Sequence, residues 1–185
     1  MSLQHLLGTA WTPQPYLVYK PTKKGSGSAL RLQLRLEPEW QEEETYVRPL
    51  VKGNGGCFLE LAAQTGFSDG NASFGWGDDS LVRAKLGLQD VMKLLTAIRE
   101  VRVAGHEVPP ALRGKSGDEW MVELFHQFNG STTIISMKFE ADRSFVRIGK
   151  SKDHHRSIAL DMHEERGFER YLELTLEGFL RVGVR

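Results

Sequence analysis

The sequence predicts an α+β protein of two β4α repeats packed around one core. One observation is a change of period: runs of two-residue alternation, the mark of half-buried strands, give way to a run with helical spacing. The other is an internal interval. Leu86 and Leu88 of KLGLQDVMKLL match Leu174 and Leu176 of ELTLEGFLRVG, 88 positions on, and the same interval carries Leu32, Leu34 and Leu36 onto Trp120, Val122 and Leu124. Repeats that cannot bury an apolar face alone must bury it against each other, so the halves are expected to form a single domain over residues 29–185.

The elements follow in order. Residues 1–28 mix Pro13, Pro15 and Pro21 with Lys23-Lys24-Gly25-Ser26-Gly27-Ser28 and keep no period, which predicts a flexible basic arm. From Leu30 to Leu36, leucines alternate with Arg31, Gln33 and Arg35, so a strand buries its leucines and turns its arginines outward. Further strands are expected at Cys57–Gln64, around Phe74–Trp76 and at Leu81–Leu86, each bounded by turn-forming residues. Leu88, Val91, Met92, Leu94, Leu95 and Ile98 then hold helical spacing to about Val101, with Asp90 in the first turn where negative charge suits the helix dipole. Gly105 and Pro109-Pro110 end this first repeat (29–105), and 106–117 is read as a linker. In the second repeat (118–185) strands are expected around Trp120–Leu124 and at Thr133–Glu140, Ser144–Lys150 and Ser157–His163. The run Tyr171–Leu176 is then expected to pass through Thr175 into a short closing helix.

Composition narrows the function. At 185 residues, 40% hydrophobic and 26% charged, the chain has the makeup of an ordinary soluble domain, and no apolar run approaches the roughly 20 residues of a membrane helix. The 24 basic and 24 acidic side chains cancel, so a positive surface must be local; between Lys20 and Arg35 every charged residue is basic. Cys57 is the only cysteine, which excludes an intramolecular disulfide and points to an intracellular or organellar setting.

Catalytic motifs are wanting. The tripeptides Gly114–Ser116 and Gly149–Ser151 read GKS, yet a phosphate loop needs a glycine where Pro109 and Ser144 stand. Cys57 lies in an apolar strand, and His154-His155 are adjacent and so point to opposite faces of a strand, which disfavours zinc. No carboxylate pair or nucleophile elbow stands out, so no enzyme, catalytic residue, metal or cofactor is expected. Binding fits better. If Leu32, Leu34 and Leu36, Val82, Ala84 and Leu86, and Val146 and Ile148 face inward, then Arg31, Arg35, Arg83, Lys85, Phe145 and Arg147 face outward. Outward bases are also ordinary solubility residues. A basic face with an aromatic ring nonetheless suits single-stranded nucleic acid, whose phosphates seek cations and whose bases seek stacking partners. That reading requires the cations to share one outer platform and to be free of the protein's own acids.

Several stretches resemble the Whirly family of single-strand binders. VYK at Val18–Lys20 followed by ALRLQLRLEP, then GGCFLELAAQTG, FGWGDDSLVRAKLGLQDVMKLL and ELFHQ at Glu123–Gln127, are similar in order and spacing to segments of that family over Tyr16–Arg185. The resemblance implies two four-stranded antiparallel sheets, two helices, a homo- or hetero-tetramer and binding to single-stranded RNA or DNA with little sequence preference. Two branches fit it: plant organellar single-stranded DNA binders, and trypanosomatid mitochondrial guide-RNA binders that anneal RNA. KPTKKGSGSAL is longer than the plant motif and is interrupted by Pro21, which favours the RNA-annealing branch, RNA editing and a mitochondrial or other organellar home. Carried onto this chain, the resemblance assigns Lys20, Lys23, Lys24, Arg31, Arg35, Arg83, Lys85, Arg147 and Lys150 to phosphate contacts and Phe145 to stacking. Phe74 and Trp76 are expected in the core in preference to a stacking role.

Overall fold

A computed structural model describes residues 13–35, 38–43, 46–51, 56–77, 80–128, 130–150 and 154–182; the expected inward residue Leu36 lies outside them. The protein is α+β, with two antiparallel sheets of five and four strands, a separate hairpin and, among the described residues, two α-helices. Strand β1 (Tyr16–Lys20) pairs with β2 (Ser28–Arg35), and the hairpin β3 (Pro38–Glu43) and β4 (Tyr46–Val51) follows. The long β5 (Gly56–Ser68) takes β2 on one edge; β7 (Leu81–Leu86) pairs with its first half and β6 (Asn71–Phe74) with its second. Helix α1 (Leu88–Arg102) and a single 3-10 turn at Pro110–Leu112 lead to β8 (Met121–Phe128), β9 (Ser131–Phe139), β10 (Arg143–Gly149) and β11 (His155–Asp161), a simple meander. Helix α2 (Met162–Val182) follows without a loop.

The alternation read from sequence sets which faces meet. Leu30, Leu32 and Leu34 of β2, Cys57, Leu59 and Leu61 of β5, and Val82, Ala84 and Leu86 of β7 point to one side. Val122 and Leu124, Ile135 and Met137, Val146 and Ile148, and Ile158 and Leu160 supply the inner face of the other sheet. All join one apolar cluster with Val91, Leu94 and Ile98 of α1 and Phe168, Leu172 and Phe179 of α2. Burial of this order is the main favourable term in folding, about 25 cal/mol per Å2 of apolar surface.

Several expectations change, the first being that one of the two sheets has five strands where four are expected. Residues 16–20 are a strand and not part of an arm. The turn that follows is held by the amide of Gln64, whose Oε1 accepts from the N–H of Thr22 (2.9 Å) and Gly27 (3.1 Å) while its Nε2 donates to the Thr22 carbonyl. Trp120 stands exposed in the turn before β8, so only Val122 and Leu124 turn inward there. The run Tyr171–Leu176 is neither strand nor short close but the middle of a 21-residue helix. Leu172, Leu174 and Leu176 mimic alternation, yet the residues that bury themselves, Phe168, Tyr171, Leu172, Thr175 and Phe179, are spaced three and four apart. That helix starts in a capping box: Asp161 Oδ1 accepts the N–H groups of His163 and Glu164, and Glu164 Oε2 accepts the N–H of Asp161 (2.8 Å). The interval of 88 therefore relates Leu86, at a strand end, to Leu174, inside a helix, and fails as a structural correspondence at that point. Finally, the 106–117 stretch is no bare linker, because Val108 is fully buried in the core.

Candidate nucleic-acid interface

The outer face of the five-stranded sheet is built by register. Opposite one another stand Leu17, Arg31, Glu60 and Arg83, one row across four strands; the next row is Tyr19, Ala29, Ala62 and Leu81, and a third is Gln33, Phe58 and Lys85. Alternation thus puts Arg31, Arg35, Arg83 and Lys85 on one face, as the sequence predicts.

They are not free of acids. Glu60 is fully buried beneath them, and both of its oxygens are taken: Oε2 by Arg31 Nε, Oε1 by Arg83 Nε, with Arg35 Nη2 at 3.8 Å. A buried carboxylate must be paired to remain charged, and here its neighbours on either strand and a third arginine do this. The face keeps an excess of cations, since three guanidinium groups share one carboxylate. Arg31 and Arg83 use Nε for Glu60, and their side chains remain 24% and 42% exposed.

Aromatic rings interleave with these cations. The Arg31 guanidinium lies 4.4 Å from the centroid of Trp76, and that of Arg35 lies 4.9 Å from Phe58. Phe74 and Trp76 are not in the main core. Together with Ala29, Ala62 and Leu81 they form a small apolar patch on this outer face, where alanines leave room for the rings, and exposed Tyr19 packs against Phe74 at 5.4 Å. Glu60, Phe58, Tyr19 and Gln64 were missed by the sequence reading. Glu60 alone carried a signal, as the one charged residue in the apolar run Gly56–Ala63.

The remaining candidates lie elsewhere, so the expected single platform is two faces. Strand β10 belongs to the four-stranded sheet, whose inner face is spent on the shared core; Phe145, Arg147 and Lys150 therefore sit on a separate outer surface. There Arg147 and Lys150 line a shallow groove of about 410 Å3 with Met121, Glu123, Ile134 and Ser136, and Arg143 stands 5.7 Å from the Phe145 ring. Lys23 and Lys24 are exposed in the turn clamped by Gln64. Lys20 is engaged in the fold. It pairs with Glu164 (2.6 Å) and Asp161 (3.6 Å) at the start of α2, beside Tyr16, whose hydroxyl donates to the Glu164 carbonyl. Burial, and then the nearby carboxylates, push the Tyr16 hydroxyl up to about 12. A second groove of about 400 Å3 runs from Lys20, Thr22 and Ser26 past Arg143 to Ser157 and Asp161, joining the edges of the two sheets.

Burial pushes the Cys57 thiol up to about 12, the state of an inert core thiol, with Thr175 donating to its sulfur at 3.8 Å. Among the described residues no three of His, Cys, Asp and Glu stand close enough to hold a metal ion, and no helix is long and apolar enough to cross a membrane. No family model and no curated protein matches this sequence.

Proposed function

We propose that the protein binds single-stranded nucleic acid across the outer face of the five-stranded sheet, with little sequence preference. One observation carries this reading: three arginines and a lysine share that face with Tyr19, Phe58, Phe74 and Trp76, an alternation of cations and rings that suits a backbone of phosphates with unstacked bases. Lys23 and Lys24 extend it along the clamped turn, and the groove beside Lys20 offers a path toward Arg147, Lys150 and Phe145. Each larger sheet runs into one helix, an order that supports two β4α units of the Whirly kind, with β3–β4 and β6 as additions. On that kinship the protein assembles as a homo- or hetero-tetramer, works in a mitochondrion or other organelle and anneals guide RNA to its target; single-stranded DNA maintenance is the related alternative. Annealing follows if one strand's phosphates are neutralised while its bases stay open to a complement.

The test is gel-shift competition among single-stranded RNA, single-stranded DNA and duplex at several salt concentrations. Affinity is expected to fall as salt rises, and Arg83→Ala with Lys85→Ala to flatten the slope of log K against log salt by about 1 to 1.5, the share of two phosphate contacts on a single strand. An unchanged slope removes this face from the site. A second reading, a structural subunit with little binding of its own, draws on the exposed Phe125 and Ile134 side by side on the four-stranded sheet. It is favoured if the mass in solution exceeds a monomer and no oligonucleotide binds.

A further inference from the structure

We infer that Glu60 is a positioning residue for the proposed interface: it fixes the arginines of the outer face in one array, so that a bound strand leaves slowly. The inference rests on the functional reading above.

Glu60 occupies the centre of the row Leu17, Arg31, Glu60, Arg83, at a position flanked by neighbours on both sides. An acid buried at the middle of a cationic face has a cost in desolvation and in net attraction for a polyanion. Its geometry offsets this. Each flanking arginine is gripped by Nε, the inner nitrogen, and one carboxylate therefore draws two guanidinium groups from opposite strands toward a common centre. Arg31 is gripped a second way, by the face of Trp76 beneath it. Arg35, 3.8 Å from Glu60 Oε1, is steadied by Gln33, whose Oε1 accepts from both Nε and Nη2. Long side chains lose rotamer freedom on binding; three held in place beforehand have less to lose, and planar guanidinium groups at fixed positions meet phosphate oxygens or stack on bases without rearrangement. The residue thus gives up one charge of attraction for a fixed geometry.

The two contributions separate in kinetics, because rim charge acts on association while geometry acts on dissociation. The probe is a short labelled uridine homopolymer, with rates followed by stopped flow at two salt concentrations. Glu60→Asp keeps the charge and withdraws the carboxylate by one methylene; it is expected to speed dissociation about fivefold to tenfold, roughly what loss of preorganisation is worth, with the salt slope unchanged. Glu60→Gln is expected to speed dissociation as well while steepening the slope by about 0.7, one added cation. Arg31→Lys keeps a cation beside the buried carboxylate without the Nε grip and is expected to match Glu60→Asp, with little further effect when the two are combined. Melting temperature is recorded for each variant, since a purely structural role would lower it without this division of rates. If the unaltered protein binds no oligomer, the functional reading falls and the inference with it. If it binds, and Glu60→Asp and Arg31→Lys leave dissociation unchanged or slower, the positioning role alone is overturned.

Discussion

Gln64 and Gly27 decide how two of the candidate cations are presented. The Gln64 amide ties Thr22 and Gly27 across the turn between β1 and β2, and Gly27 is buried so closely against it that a methyl group there would overlap Gln64 Oε1 and the Lys20 carbonyl oxygen. Gly27→Ala is expected to cost about 2–3 kcal/mol, as overpacking at a buried site does, read as a drop in denaturation midpoint with no change in its slope. A composition rich in Lys, Gly and Ser reads as flexible because nothing local orders it; the ordering group stands 37 residues further on, across the sheet. Gly167 has a similar role on α2. A side chain there would meet the Tyr16 ring at 2.7 Å, so β1 reaches the helix only because this position is bare.

Helix termini join the sheets to the helices. At the start of α1, Asp90 accepts the N–H of Gly87 (2.8 Å) and pairs with His126 Nε2 of β8 (3.0 Å), which links the strand-to-helix corner of one sheet to the edge of the other. Burial pushes the Asp90 carboxyl upward, but the bonds from His126 and Gly87 outweigh it and hold it below its ordinary 3.8. The bond to Asp90 raises His126 above its ordinary 6.5, against burial and the charge of Lys93. The sign follows from linkage. A raised histidine stabilises the fold fully below the unfolded value and ceases to do so as pH climbs through the folded one; a lowered aspartate loses its contribution only as pH falls through its own depressed value. The pair is therefore strongest between about pH 4 and 6.5. Between pH 6 and 8.5 the melting temperature of the unaltered protein is expected to fall by about 2 °C more than that of His126→Gln. Equal falls would mean that the pair adds nothing. At the other end of α1, Arg102 holds Glu165 of α2 through two nitrogens, at 2.7 and 3.0 Å, and also donates to the carbonyls of Glu140, just after β9, and Arg143, the first residue of β10. The capping box at Asp161–Glu164 was open to reading as D-x-x-E; period-two leucines downstream obscured it.

One core serves both sheets and both helices, so neither sheet has a hydrophobic interior of its own. Leu61→Ala and Ile148→Ala, one from each sheet and both fully buried, are each expected to cost about 2–5 kcal/mol. Each is further expected to shift a single transition seen alike by circular dichroism and tryptophan fluorescence; two separated transitions would mean two units that fold independently. The shared core also fixes what the surfaces can do, because turning both inner faces together sends the outer faces apart. Cations that a linear pattern sets side by side are in this way divided between two surfaces.

Alternation in β2, β7 and β10 was enough to say which residues turn inward, since the pleat is a local property of the backbone, and the apolar spacing of α1 gave that helix to within a residue of its end. Strand order and register were beyond its reach: nothing nearby in the chain places Glu60 between Arg31 and Arg83, 29 and 23 positions away, or Lys20 against Glu164. Those partners are chosen by how the strands pair and how the faces close over the core. Whether an outward arginine meets solvent or a buried acid is for that reason a property of the folded protein, not of the local pattern that turned it outward.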